Sequence, residues 1–166
     1  MSTYVVDSNF FIEAHRKTYP LDVVQSFWNK VKQLADDKKI ISIDKVKKEI
    51  YGHEDALKTW CESNLPNDFF KDTAQAMAEY KQVAVWAASR SRHYSPGALA
   101  EFLNADEADA HLVAYALADN ASRIVTTQEV SEPNGRNKVK IPEACNALRV
   151  QYCNTIQMFR QLGEKF

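Results

Sequence analysis

Thr3-Tyr4-Val5-Val6-Asp7-Ser8-Asn9 reads as a short buried strand that runs straight into an acid and two small polar residues. An acid in that position sits at the carboxyl edge of a sheet, where open α/β folds place their ligands. Ser8 and Asn9 suit the cap of a following helix, and the apolar run Phe10-Phe11-Ile12 comes next. After Pro20, Leu21, Val24, Phe27, Trp28, Val31 and Leu34 recur at three- and four-residue spacing. That is one core-facing helical stripe, and it ends in the polar turn Asp36-Asp37-Lys38-Lys39. Ile40-Ile41-Ser42-Ile43 then reads as a second strand.

Asp44 is the expected cap of the next helix, with Val46, Ile50 and Tyr51 inward, Lys45, Lys47 and Lys48 outward, and Gly52 at its end. A longer helical region is expected from Phe69 to about Arg92, closed by the turn Ser95-Pro96-Gly97. A helix from about Glu107 to Ala118, a third strand at Arg123–Thr126, a polar loop from Gln128 to Lys138 and a fourth strand at Val150–Cys153 complete the pattern. Strands separated by helices predict an α/β fold, three-layer α/β/α, with a central parallel sheet of about four strands. At 166 residues a single domain, 1–166, is expected.

A formal charge of −1 leaves no global basic field, so contact with nucleic acid would have to rest on local patches. Such clusters exist at Arg16 and Lys17, at Lys45, Lys47 and Lys48, and at Arg90 and Arg92, each of which alone reads as a solvated helix face. Cys61, Cys145 and Cys153 are odd in number and lack C-x-x-C spacing, which argues against a disulfide framework or a zinc ribbon. With no basic-then-apolar leader and no apolar run long enough to span a bilayer, a cytoplasmic protein without membrane contact is expected. Four glycines, at 52, 97, 135 and 163, form neither a Walker loop nor a G-x-G-x-x-G fingerprint. The four histidines show no H-E-x-x-H spacing, and no serine sits in a G-x-S-x-G elbow.

The acids remain. Asp7 either caps the helix after it or opens a site. Glu49, flanked by lysines, fits a surface ion pair on its own. Asp109 shares a helical stripe with Leu112, Val113 and Ala116, the face that turns to the sheet, and Asp106 lies three residues before it. Both sit over a first turn, where the helix dipole favours negative charge. Glu129 follows the third strand. A parallel sheet gathers its strand ends on one edge, so convergence of these carboxylates is the expectation to test. Held together they repel one another, which raises their pKa values unless a cation lies among them. Oxygen-only donors select Mg²⁺ or Mn²⁺ over zinc.

Three of these segments, taken in order, resemble those of a PIN domain, the nuclease fold of VapC-type toxins, and in particular PIN-like proteins grouped as a domain of unknown function. Tyr4-Val5-Val6-Asp7-Ser8-Asn9 is similar to the opening strand and acid. Asp44-Lys45-Val46-Lys47-Lys48-Glu49-Ile50 is similar to the helix of the second acid, and Ala108-Asp109-Ala110-His111-Leu112-Val113-Ala114-Tyr115-Ala116 to that of the third. Val125-Thr126-Thr127 resembles the family's strand ending in threonine. One departure stands out: the family has an aspartate shortly after that threonine, and this chain has Gln128 and Glu129. The fourth ligand is therefore displaced, water-mediated or absent, with Asp106 as an additional acid.

The resemblance implies a divalent-metal-dependent endoribonuclease, the toxin of a toxin–antitoxin pair. Asp7, Glu49 and Asp109 would be its catalytic residues and hold the cation, with Glu129 or Asp106 placing a second ion or the water. Ser8, Asn9 and Thr126 would contact substrate, and Arg16, Lys17, Lys45 and Lys48 would steer the RNA backbone. RNA, a cognate antitoxin and a second copy of the chain are the implied partners, with Tyr80 and Trp86 available for a protein surface. The rival from another class is a catalytically weak PIN-like protein that binds RNA or a partner. A haloacid-dehalogenase-like phosphatase also starts from a strand ending in Asp, but it needs an acid two residues on, where this chain has Asn9.

Overall fold

In the computed structural model, which describes residues 1–166, five parallel strands form one sheet. They are β1 (Thr3–Val6), β2 (Ile40–Ile43), β3 (Phe70–Lys71), β4 (Arg123–Thr126) and β5 (Tyr152–Cys153), in the order β3-β2-β1-β4-β5. Val5, Val6, Ile40, Ile43 and Val125 are fully buried, as strands covered on both faces require. The sheet is one strand wider than the sequence predicts, because Phe70-Lys71 pairs with Ser42-Ile43 where a helix was expected. Two residues carry no alternation to read.

The helices are α1 (Ser8–Glu13), α2 (Gln25–Asp36), α3 (Asp44–Tyr51), α4 (Ala56–Asn64), α5 (Met77–Ser89), α6 (Pro96–Phe102), α7 (Ala108–Leu117), α8 (Ile141–Leu148) and α9 (Thr155–Leu162). Between α1 and α2 the chain makes a π-helical turn, Ala14–Thr18. On α2 the stripe Phe27, Trp28, Val31 and Leu34 is buried as its spacing predicts. Each of those side chains contributes roughly 1.5–3 kcal/mol by leaving water.

Period-two alternation sorts the central strands. Tyr4 donates its hydroxyl to Gln161 on α9 at 2.8 Å, and Thr126 meets Met158 on α9 at 3.7 Å. The registers Tyr4 to Ile124 and Val6 to Thr126 place all four residues on that face, which α2 joins through Phe27 against Phe159. Val5 and Val125 point to the opposite face, which α7 covers, with α3, α5 and α8 around it. The result is three layers, α/β/α.

Local signals differ from expectation at three places. Ser8 and Asn9 do not cap α1; Asp7 does, as one of its two readings allowed, by accepting the Phe10 N–H at 2.8 Å. Asp44 lies inside α3 rather than capping it, and its Oδ1 accepts the Thr73 hydroxyl at 2.8 Å. Ser95-Pro96-Gly97 opens α6 instead of closing a helix, with Ser95 accepting the Ala98 N–H at 3.1 Å and Pro96 in the first turn, where its missing N–H costs nothing. No helix is long and apolar enough to cross a membrane.

Candidate functional site

β1 is the strand from which the chain winds both ways, outward through β2 and β3 on one side and through β4 and β5 on the other. Such a switch point leaves a crevice at the carboxyl ends of the two diverging strands. Asp7 follows β1 and Thr127 follows β4, and both lie on the side of the sheet that α7 covers. The Thr127 hydroxyl closes the crevice by donating to Asp7 Oδ2 at 2.6 Å, while Asp7 Oδ1 takes the Phe10 N–H. Asp7 is 3% exposed.

Burial pushes the Asp7 carboxyl up from 3.8 to about 7 against the pull of these two hydrogen bonds, and the charges of Glu129 and Glu49 raise it further. A capping aspartate needs none of this, since caps ordinarily sit in water. Asp109, in the first turn of α7, is likewise pushed to about 7, first by burial and then by Glu129, Asp7 and Glu49, with Lys138 opposing. Four acids that are distant in sequence therefore feel one another here. Glu49 is the most exposed of the four.

Glu129 enters from the loop after β4 with its side chain only 8% exposed. Its Oε2 accepts the Ile141 N–H at 2.9 Å, capping α8, and its Oε1 lies 3.4 Å from the Lys138 ammonium. Burial works to lower the Lys138 pKa, but Glu129 and Asp109 outweigh it and hold the ammonium above its ordinary value. Lys138 was hidden in a polar loop at the level of sequence, and Thr127 stood in the threonine motif but the site role was given to Thr126. A small cavity of about 10 Å³, room for roughly one water, lies against Asp109 and Lys138 and is lined also by Glu101 and Glu107.

As the side chains stand, no three His, Cys, Asp or Glu residues form a closed cage for an ion. The oxygens of Asp7 and Glu129 are taken up by protein donors. The donor set nevertheless fits a hard divalent cation: it is all carboxylate, and its buried members carry raised pKa values that a bound cation would reverse. Asp7 and Asp109 are best placed to hold one, with Glu129 and Glu49 beside them.

The other nominated residues fall outside this group. Asp106 is exposed ahead of α7 and pairs with Lys48 at 2.8 Å. Thr126 is fully buried against Cys153 and Met158, on the opposite face of the sheet from Asp7, so no substrate contact is open to it. Ser8 is buried in the first turn of α1. Asn9, Arg16 and Lys17 line a separate surface pocket. Lys45 is half-buried near Asp106 and His111. Tyr80 stacks on His111 and Trp86 packs against Phe102, so both belong to the core edge. The three cysteines are free and buried, and burial pushes the Cys61 thiol up to about 12, far from nucleophilic use.

No curated protein and no solved structure matches the chain. The family described as a domain of unknown function, DUF4411, matches residues 4–166. The chain belongs to the DUF4411 family.

Proposed function

We propose that this protein is a PIN-like, divalent-metal-dependent endoribonuclease. The observation that carries the reading is the pair Asp7 and Asp109, 102 positions apart, one buried and one half-buried at the switch-point crevice and both pushed to about 7 by loss of solvent and by neighbouring acids. Stable folds avoid such a cluster unless it has work to do. A bound Mg²⁺ or Mn²⁺ supplies charge neutralisation at a phosphate and a more acidic water. The chain's own contribution is placement: Thr127 and the Phe10 N–H fix both oxygens of Asp7, and α7 presents Asp109 across the crevice. The Ile141 N–H and Lys138 orient Glu129. Lys138 adds a cation within reach of a phosphate's negative charge.

Assignment as the toxin of a toxin–antitoxin pair rests on the sequence resemblance alone. A second reading, a PIN-like binding protein, is favoured by one observation: the Lys138 ammonium already partly neutralises the acids that a metal would need. Cleavage of mixed single-stranded RNA with Mn²⁺, with Mg²⁺ and with chelator, beside Asp7→Asn, separates the two. Metal-dependent cleavage that vanishes in the variant upholds the nuclease. Retention of RNA without cleavage, under all conditions, replaces it with the binding protein.

A further inference from the structure

The connection between α5 and α6 meets the loop after β4 at a second, larger pocket of about 580 Å³. Arg92, Arg136, Asn134, Asn137 and Ser91 line it, and no acid does. Three hydrogen bonds zip its walls together: His93 Nε2 with the Gly135 carbonyl at 2.8 Å, the Ser95 N–H to the Arg136 carbonyl at 2.9 Å, and Arg136 Nη2 to the Arg92 carbonyl at 3.4 Å. The last of these brings one guanidinium against the backbone of the other arginine. Neither arginine has a carboxylate partner, since every ion pair in the molecule is made by a lysine. Two arginines without carboxylate partners, lining one pocket with amides and hydroxyls, form a site that wants an anion with several oxygens, and arginine's fork matches phosphate.

The pocket's position adds the rest. Pro96 at the start of α6 lines it, while Ala98, Glu101 and Phe102 farther along α6 line the small cavity at Asp109. The loop that supplies Arg136 supplies Lys138 two residues later, so their Cα atoms are at most roughly 7 Å apart and the basic pocket adjoins the wall of the acidic crevice. The volume is also in the range of pockets that hold a nucleotide-sized group.

We propose that Arg92 and Arg136 form a phosphate-binding subsite for single-stranded RNA, holding the backbone beside the phosphate engaged at Asp7 and Asp109. The proposal deepens the nuclease reading and rests on it for the direction of the strand. The test is binding of a fluorescent 12-nucleotide RNA to Asp7→Asn protein, which needs no cleavage, against the same protein carrying Arg92→Gln, Arg136→Gln or both. Arg160→Ala, on α9, is the control. The double variant should bind at least 10-fold more weakly, with a shallower dependence on salt, each lost phosphate contact removing about 0.7 from the logarithmic slope. Arg92→Lys with Arg136→Lys should recover part of the affinity, and all variants should melt with the parent.

Unchanged affinity in the double variant overturns the subsite and leaves the nuclease reading intact if the wild-type chain cleaves RNA. Loss of binding by the double variant with no cleavage by the wild-type chain upholds the subsite and removes the nuclease. No binding of RNA by the parent overturns the subsite outright.

Discussion

Replacing Asp7 by Asn should make the protein more stable in chelator at alkaline pH. The side chain is isosteric, its oxygen can keep the Phe10 N–H, and its amide can donate to the Thr127 hydroxyl oxygen, so the geometry survives. What disappears is the cost of a buried charge. The sign follows from linkage: an acid whose folded pKa lies above its unfolded value penalises folding once pH exceeds the unfolded value, and the penalty grows until pH passes the folded one. For Asp7 that window runs from 3.8 to about 7. At 1.36 kcal/mol per unit the wild-type chain loses about 4 kcal/mol by pH 8 that the variant does not. For a chain of this length that is a gain in Tm on the order of 10 °C, shrinking toward zero near pH 4. Thermal melts of both proteins in chelator from pH 4 to 9 measure it, and Mn²⁺ should then raise the Tm of the wild-type chain much more than that of the variant. A difference that stays flat with pH, or a variant less stable than wild type at pH 8, would refute the account of a strained carboxylate.

Thr127→Val should cost roughly 1–3 kcal/mol at pH 8 and raise the Asp7 pKa further, because it removes a hydrogen bond to a buried charge; Thr126→Val, one residue away, should be nearly neutral, and chemical denaturation separates them. Lys138→Met should lower stability in chelator and enlarge the Mn²⁺-induced rise in Tm, since it removes the ammonium that partly neutralises Glu129 and Asp109. An unchanged metal response would show that the lysine does not compete for the site. Glu129→Ala should destabilise by about 1–2 kcal/mol with metal present, because α8 loses the cap at Ile141, and by less in chelator, where Asp7 and Asp109 lose a repelling charge. Equal stability in urea titrations would remove that role.

The strongly periodic elements were legible in the sequence. Thr3–Val6, Ile40–Ile43 and Arg123–Thr126 are apolar on both faces, and the stripes of α2 and α7 follow helical spacing. α4 was missed because only Leu57 and Cys61 are buried along it, too few to make a stripe. α9 did carry a signal, the capping box in which Asn154 and Gln157 satisfy each other's backbone N–H, and it went unread. At the site, Asp7 and Asp109 could be nominated because strand ends and core-facing stripes locate them. Thr126 failed by one residue, and in a strand one residue is the other face. Lys138 and Arg136 owe their positions to the loop after β4, pinned by the Ser95 N–H on the Arg136 carbonyl, which no local pattern encodes, and Arg92 was legible only as part of a basic cluster.

The bond between Thr127 and Asp7 joins residues 120 positions apart. Everything that shapes the crevice on the β4 side, from Thr127 to Lys138, is made after β1, β2 and α7, so during synthesis the first acid exists long before its partners. Bringing β1 beside β4 closes a long loop, a slow step in folding. The acidic crevice therefore assembles late and all at once. A nascent chain lacking β4 has Asp7 without the Thr127 hydroxyl and without the Glu129 charge, so the crevice is complete only when the last third of the chain has folded.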